Sequence, residues 1–229
     1  MKTQGIERRL PRFLRRHILD FEARIEDSVS RFAAGLPTGA RVLDAGAGEG
    51  RYAKLFPKQR YCGVDLGIGD ASWDYQGLDA VADLASLPFP PACFDAAINI
   101  VTLEHVREPR SVLAEIARVL KPGGRLLLVV PHEWEVHQAP HDYFRFTRYG
   151  VRFLLESTDF TDIHVLAAGG YFRLLARRLL NGLQFFHGLR AIPAALLLTP
   201  PALLLPALDF LDRDRNFTLG YICTARKRS

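Results

Sequence analysis

Residues 40–52, ARVLDAGAGEGRY, constrain the fold more than any other part of the sequence. A short apolar run ends in an acid, Asp44, and glycines follow at positions 46, 48 and 50. Continuously apolar strands are typical of parallel sheets, because both faces of such sheets are covered. Glycines let a backbone turn sharply and approach a ligand closely. The segment therefore predicts a buried strand followed by a ligand-binding loop.

The rest of the chain alternates strand and helix patterns. An apolar stripe with helical spacing, containing Val112 and Ile116, begins near Pro109 and ends at the Pro122–Gly124 turn, and residues 147–158 form a second helical pattern. A helix broken near Pro11 is expected before residue 36, packed on the flank of the sheet. This alternation predicts an α/β, doubly wound, Rossmann-like sheet. Further strands are predicted at 60–65, 94–101, 125–131, 162–170 and 217–227.

Four segments of the chain are distinguished by composition. We expect an N-terminal helical segment (1–38), a ligand-binding core (39–170), an apolar helical insertion (171–216) and the last strand of the core (217–229). The three cysteines are widely spaced and form no CxxC pair, which favours a reducing, cytoplasmic location. The formal net charge of +5 is concentrated at the two ends and is interpreted as a solvated basic face, so no nucleic-acid partner is expected.

The spacing of the glycines selects among ligands. A phosphate-binding P-loop needs Lys and Ser or Thr after its glycines, but Gly50 is followed by Arg51 and Tyr52. The dinucleotide fingerprint G-x-G-x-x-G does not fit either, because Arg51 stands where its third glycine belongs. An acid two residues before Gly46 would repel a pyrophosphate and attract a cation. S-adenosyl-L-methionine carries a sulfonium and an ammonium group and no phosphate, so it fits this loop.

Four motifs in order resemble the class I S-adenosylmethionine-dependent methyltransferases, of the methyltransferase type 11 kind. They are VLDAGAGEG, YCGVDLG, the stretch VADLASLPFPPACFDAAINIVTLEHVREP and VLKPGGRLLLVVP. The resemblance implies a seven-stranded, mostly parallel sheet and the cofactor S-adenosyl-L-methionine. It implies that Asp65 holds the ribose hydroxyls and that Asp83 meets the adenine amino group. The whole implied cofactor site comprises Asp44, Gly46, Gly48, Asp65, Leu66, Asp83, Leu84 and Asn99.

The residues that act on the methyl acceptor are predicted to lie in the segment VVPHEWEVHQAPHDYFRFTR, which holds three of the seven histidines. A hydroxyl acceptor needs a general base. We expect His141 or His137 in that role, oriented by Asp142 or Glu135, with Tyr143 alongside. Two alternatives stay open: a loop that merely closes over the cofactor, and a metal site formed by the two histidines. Pro140 disfavours the helix that such a metal site would need, so no metal is expected. His105 is expected to support the cofactor loop rather than to react.

Residues 191–208 contain no charged side chain and are interrupted by prolines. We expect the pair Pro200–Pro201 to bend this run into a re-entrant or interfacial hairpin at a membrane. Flanking cations would favour an anionic surface. The alternative is a helical lid or a surface between subunits. The cations on one side are Arg173, Arg177, Arg178 and Arg190.

The predicted function is S-adenosylmethionine-dependent O-methylation of an envelope saccharide, a lipid or a quinone-like small molecule. The acceptor is expected to be small or lipid-linked, and the protein to be cytoplasmic and peripheral to the inner membrane. Two alternatives of other classes remain: a non-catalytic protein that binds S-adenosylmethionine, and an NAD-dependent or nucleotide-sugar enzyme.

Overall fold

The computed structural model describes residues 19–69 and 72–229. The helix break expected near Pro11 lies outside these residues. The chain forms two compact units. The sheet unit comprises Ile25–Leu166 and Gly220–Ser229, and the helical unit comprises Ala167–Leu219 together with the chain up to Arg24.

A seven-stranded sheet in the order β3-β2-β1-β4-β5-β7-β6 forms the framework. The pairs β1–β2, β1–β4, β2–β3 and β4–β5 are parallel, and β5–β7 is antiparallel. The predicted α/β, Rossmann-like, mostly parallel sheet is therefore confirmed. The strands are β1 Arg41–Ala45, β2 Arg60–Asp65, β3 Ala80–Val81, β4 Phe94–Ile100, β5 Leu120–Pro131, β6 Phe160–Ala167 and β7 Gly220–Lys227.

Several strands differ from their predicted limits: β4 ends at Ile100 rather than 101, β6 is Phe160–Ala167 rather than 162–170, and β7 begins at Gly220 rather than 217. β5 begins at Leu120, directly after the preceding helix, so Pro122–Gly124 belong to the strand and not to a separate turn. The pairing with β4 shifts its register between Phe94 and Ala96, which accommodates the irregular stretch. β3 has only two residues, and a pattern of alternation or continuous apolarity cannot identify so short a strand.

Within residues 19–69 and 72–229, three helices accompany the sheet: α1 Asp20–Ala34, α2 Pro109–Val119 and α3 Arg148–Glu156. α1 buries Ile25, Val29 and Phe32, and α2 buries the predicted stripe that contains Val112 and Ile116. α3 begins where the Thr147 side chain accepts a hydrogen bond from the amide of Gly150. The central strands β1, β4 and β5 are almost fully buried, so their carboxyl ends are held at fixed positions.

The helical unit contains α4 Tyr171–Gly182, α5 Ala191–Leu204 and a 3-10 helix at Leu205–Leu211. The predicted bend at the proline pair is wrong, because α5 continues through Pro200 and Pro201. The amide of Leu205 donates to the Pro201 carbonyl, so the helical hydrogen bonds resume immediately after the prolines. The 24 residues Gly188–Leu211 are long and apolar enough to cross a membrane, by length and composition only.

Candidate functional site

The glycine loop after β1 uses conformations that favour glycine. The φ angles of Gly46, Gly48 and Gly50 are +94°, +53° and +70°. A Cβ at Gly46 would lie 2.3 Å from Cγ2 of Thr102, so this position also lacks room for a side chain. The loop leads into a three-residue 3-10 helix, Ala53–Leu55. Phosphate sites use the amino end of an α-helix, and this local structure does not supply one at the loop.

Asp65, the last residue of β2, joins the second strand to the glycine loop. Its Oδ2 accepts a hydrogen bond from the amide of Gly48 over 2.9 Å, and its Oδ1 accepts one from Gly67 over 2.9 Å. A carboxylate has about four lone-pair sites, so two acceptor positions remain. Asp65 is half-buried. The structure therefore places an acid with spare acceptor capacity at the edge of the loop.

Asp44 lies beneath the same loop and is almost fully buried. Its Oδ2 accepts a hydrogen bond from the Tyr61 hydroxyl over 2.5 Å, while Oδ1 has no partner among residues 19–69 and 72–229. Burial raises the pKa of Asp44 to about 7, the Tyr61 hydrogen bond lowers it, and the nearby charge of Asp65 raises it further. Asp44 is therefore largely protonated below pH 7, and a nearby cation would favour its ionised form.

Asn99, in β4, and Thr102, two residues after that strand, hold the end of β1 and the start of the loop. The Asn99 amide donates to the Ala45 carbonyl over 2.6 Å and is fully buried, and the Thr102 hydroxyl lies 3.2 Å from the Gly46 carbonyl. Between them Val101 adopts φ +52°, an uncommon conformation for a β-branched residue. Such backbone strain concentrates at functional sites. Asn99 thus supports the loop from below.

The remaining residues predicted to bind the cofactor lie in two different environments. Asp83 is exposed, and its Oδ1 accepts a hydrogen bond from the amide of Ala85 over 2.9 Å. The side chain of Leu84 is buried and that of Leu66 is 42% exposed. Sequence reasoning missed Trp73, whose ring would lie 3.2 Å from a Cβ at Gly48. No spacing rule links a tryptophan to a glycine loop 25 positions earlier.

The histidine segment forms an irregular loop between β5 and α3. An ion pair between Asp142 and Arg145 stabilises this loop. Arg145 donates to both carboxylate oxygens of Asp142, over 2.7 and 2.8 Å, and also to the carbonyls of Trp134 and Glu135. This pairing holds the pKa of Asp142 down to about 2. Asp142 in turn accepts a hydrogen bond from the backbone amide of His137 over 2.9 Å. Asp142 therefore holds the loop together. Its bidentate pairing with Arg145 fixes the relative orientation of the two side chains.

His141 and Tyr143 lie together on this loop. Nδ1 of His141 is 3.1 Å from the Tyr143 hydroxyl, which also accepts a hydrogen bond from Nε of Arg107 over 3.2 Å. The amide of Tyr143 donates to the Glu104 carbonyl over 2.9 Å, which docks the loop beside the end of β4. His141 and Tyr143 are thus brought near the residues that support the glycine loop.

His137 contacts Asp142, one of the two acids predicted to orient it, since its Nδ1 lies 3.4 Å from Oδ2 of Asp142; its other partners were not predicted. Its Nε2 lies 3.1 Å from Nε2 of His105, and Oε1 of Glu104 lies 3.9 Å away. Burial raises the pKa of Glu104 to about 8 and lowers that of His105. The expectation that His105 only supports the cofactor loop is therefore incomplete. In the sequence, only the LEHV motif at the end of β4 pointed to His105, because its partner His137 lies 32 residues later in the chain.

Comparison with known proteins agrees with this geometry. Residues 43–128 match the family described as "Methyltransferase domain". A tRNA (carboxymethyluridine(34)-5-O)-methyltransferase of Arabidopsis thaliana is 36% identical over 116 residues, covering 48% of this chain and 28% of its own length. A ubiquinone/menaquinone biosynthesis C-methyltransferase of Desulfotalea psychrophila is 34% identical over 134 residues, covering 53% of each chain.

Solved structures show the same fold. An S-adenosylmethionine-dependent methyltransferase from Archaeoglobus fulgidus superposes with a TM-score of 0.59 at 14% identity, covering 90% of this chain and 94% of the other. At this identity the likeness establishes the fold alone. The chain spans about half or less of the length of the curated relatives described above.

The sheet order, the glycine loop and the acids at the ends of β1 and β2 define the class I methyltransferase fold. Residues 43–128 match the methyltransferase domain family, in agreement with this fold.

Proposed function

We propose that the protein binds S-adenosyl-L-methionine at the glycine loop and transfers its methyl group to an acceptor oxygen. One observation carries the proposal: Asp65 and Asp44, on adjacent strands, meet the same glycine loop, and each has an oxygen able to accept another hydrogen bond. The ribose hydroxyls of the cofactor would donate to Asp65. Its ammonium group would supply the cation that buried Asp44 lacks.

Thr102 connects the proposed cofactor site to the loop that is proposed to hold the acceptor. Its hydroxyl contacts the Gly46 carbonyl, and the 3-10 helix Leu103–His105 follows immediately. The loop that carries His141 docks on the carbonyl of Glu104 in this helix. A methyl donor at the glycine loop would therefore face the histidine loop. Holding donor and acceptor in line supplies much of the rate enhancement in such displacements.

His141 is the base in this proposal. When Nδ1 carries its hydrogen and donates to the Tyr143 oxygen, Nε2 bears the lone pair that takes the acceptor proton. The acceptor oxygen then forms a bond to the methyl carbon while the carbon–sulfur bond of the sulfonium breaks. The electron pair of that bond stays on sulfur, and S-adenosylhomocysteine leaves. Asp142 and Arg145 keep the loop in place.

The acceptor we propose is a small or lipid-linked molecule: an envelope saccharide, a lipid or a quinone-like compound. The two curated relatives described above differ in acceptor, one being a tRNA enzyme and the other a quinone enzyme. The quinone-type acceptor is favoured by the exposed apolar surface of the helical unit. A lipid-soluble acceptor is reached most directly by an enzyme that touches the membrane.

We propose that Gly188–Leu211 lies on the cytoplasmic face of a membrane. Within the helical unit, Ala194, Ala202 and Pro206 are buried, so one side of this segment is packed against its neighbours. The other sides expose large apolar side chains, a composition that marks interaction surfaces. Those exposed at least 57% are Leu189, Ile192, Leu196, Leu197, Leu204, Phe210 and Leu211.

The ion pairs around this segment change which arginines are expected to contact anionic lipid. Arg173 pairs with Asp20 and Asp209, and Arg177 pairs with Glu22, so these two arginines already have anionic partners within the helical unit. Arg190 and Arg213, at the two ends of the apolar segment, are exposed. They are the cations we expect to meet anionic headgroups.

Methyl transfer from labelled S-adenosylmethionine into fractionated cell extract tests the proposal. We expect label in the lipid or small-molecule fraction, with His132→Ala as active as the unmodified protein. His132 lies in the same loop, with its ring 5.6 Å from that of Tyr221. Cofactor binding with no labelled fraction would favour the non-catalytic alternative.

A further inference from the structure

Three electron-pair donors converge where the end of β4 meets the loop after β5. Nε2 of His105 and Nε2 of His137 are 3.1 Å apart, and Oε1 of Glu104 lies 3.7 and 3.9 Å from them. The potential ligand atoms of the three residues all lie within 4.8 Å of one another. We call these residues the Glu104 cluster.

The partners of the histidines fix which ring nitrogens carry hydrogen. Nδ1 of His105 lies 2.6 Å from the His141 carbonyl, and Nδ1 of His137 lies 3.1 Å from the Glu135 carbonyl and 3.4 Å from the Asp142 carboxylate. Carbonyl and carboxylate oxygens only accept hydrogen bonds, so each Nδ1 is the donor. In the neutral imidazoles both Nε2 atoms then carry lone pairs. Two lone pairs at this separation repel unless a proton or a metal ion lies between them.

The buried Glu104 carboxylate also requires a positively charged partner, for a separate reason. Its side chain has no exposed surface, and neither carboxylate oxygen has a hydrogen-bond partner among the described residues. A buried carboxylate without partners is strongly disfavoured. A metal ion at this position would satisfy the carboxylate and both imidazoles together.

We propose that the Glu104 cluster binds a divalent transition metal ion of the zinc type. The ligands are Nε2 of His105, Nε2 of His137 and a carboxylate oxygen of Glu104, a set of two histidines and one carboxylate that occurs in catalytic metal sites with an open position. Metal-bound histidines usually donate their other N–H to a carbonyl or carboxylate, as both histidines do here. This proposal replaces the expectation from sequence that no metal is bound.

The geometry needs little adjustment for a metal. Zinc–nitrogen bonds of about 2.0–2.1 Å place two ligands of a tetrahedral ion roughly 3.3–3.4 Å apart. The two nitrogens are already near this separation, at 3.1 Å. The carboxylate oxygen would move by about 0.5 Å to reach the same separation. The loop that carries His137 is held by Asp142 and Arg145, so the site is supported.

The metal's role in the reaction rests on the proposed function. The open position would take the acceptor oxygen and lower the pKa of its hydroxyl, so that His141 removes the proton more easily. Metal binding itself does not depend on that role. It can therefore be measured without an acceptor.

The test is titration of Zn²⁺ into untagged, full-length protein freed of metal with a chelator. We expect one Zn²⁺ per chain by calorimetry and by elemental analysis. His137→Ala and Glu104→Gln should weaken binding by a hundredfold or more, because loss of outer-shell partners alone costs 10–100-fold. His132→Ala, a matched control in the same loop, should bind as the unmodified protein does.

Thermal unfolding separates metal loss from misfolding. Zn²⁺ should raise the Tm of the unmodified protein and of His132→Ala but not that of Glu104→Gln, which is expected to fold because glutamine has the shape of the neutral carboxylic acid that burial favours. Absence of stoichiometric Zn²⁺ at micromolar concentrations, or equal binding by Glu104→Gln, would overturn the proposal. S-adenosylmethionine binding, measured on the same samples, separates this outcome from failure of the proposed function.

Discussion

The Oδ2 atom of Asp65 accepts a hydrogen bond from the amide of Gly48 over 2.9 Å, which couples the end of β2 to the loop after β1. The same carboxylate accepts a second bond from Gly67. Asp65 thus shapes the glycine loop, and we propose that its remaining lone pairs accept the ribose hydroxyls of the cofactor.

Replacing Asp65 with Ala should weaken S-adenosylmethionine binding tenfold or more. Hydrogen bonds to a charged group contribute about 1.5–3 kcal/mol each, and the variant leaves the ribose donors and two loop amides without an acceptor. Isothermal titration calorimetry measures the change, with circular dichroism as the check on folding. Glu156→Gln, which alters an exposed acid on α3, should bind normally. Unchanged affinity in Asp65→Ala would remove this residue from the cofactor site.

Gly46→Ala and Gly50→Ala form a matched pair. Both positions have positive φ, but a Cβ would meet Thr102 only at position 46, since nothing lies within 4 Å at position 50. The left-handed conformation costs each variant roughly 1–2 kcal/mol. Gly46→Ala should be clearly less stable than Gly50→Ala and should lose cofactor binding. Denaturant unfolding measures the difference, and equal stability of the two variants would contradict the observed packing of Thr102.

Cofactor affinity should rise with pH because of Asp44. The pKa of Asp44 in the free protein is raised to about 7, so below that pH the group is protonated and must lose its proton to bind an ammonium ion. Affinity should therefore increase by up to about tenfold per unit from pH 5 to pH 7 and then level off. Calorimetry in buffers of different ionisation enthalpy should detect proton release. Asp44→Asn should bind more weakly and without this pH dependence.

If His141 is the base, His141→Ala should lower turnover by about 10²-fold or more and leave cofactor affinity unchanged. Tyr143→Phe should cost less, because it removes only the partner of Nδ1. Steady-state rates and calorimetry on the same preparations separate the two effects. A near-normal rate in His141→Ala would support the alternative in which the histidine loop only covers the cofactor.

The double variant Leu196→Glu with Leu197→Glu should abolish binding to anionic liposomes. Both side chains are 73% exposed, so the change should spare folding while placing charge on the proposed membrane surface. Phe153→Glu, an equally exposed apolar position on α3, is the control and should sediment with liposomes normally. High salt should weaken binding of the unmodified protein, because each exposed cation contributes roughly 1 kcal/mol near anionic lipid. Failure of the unmodified protein to bind at any salt concentration would contradict the membrane proposal.

The sequence predicted the fold well where the signal was local. β1 and β2 occupy the predicted residues, because a buried parallel strand is continuously apolar and ends visibly at an acid or a glycine. The prolines at 200 and 201 misled the prediction, because the helix around them is long enough to continue past two missing amide donors.

The sequence predicted the segments proposed to bind the cofactor and the grouping of His141 with Tyr143, but not the contact between His105 and His137. Asp44, Gly48 and Asp65 lie in short motifs whose spacing places them at one edge of the sheet. The contact between His105 and His137 depends on a loop folding back onto β4 through the hydrogen bond from Tyr143 to Glu104. No periodicity in the sequence encodes that contact.

Direct titration with S-adenosylmethionine, S-adenosylhomocysteine and NAD⁺ distinguishes the proposed cofactor from a dinucleotide. We expect S-adenosylmethionine and S-adenosylhomocysteine each to bind with one site per chain and to compete with each other, and NAD⁺ neither to bind nor to displace them. Folded protein that binds NAD⁺ at the glycine loop, or that binds neither adenosyl compound, would contradict the proposed function.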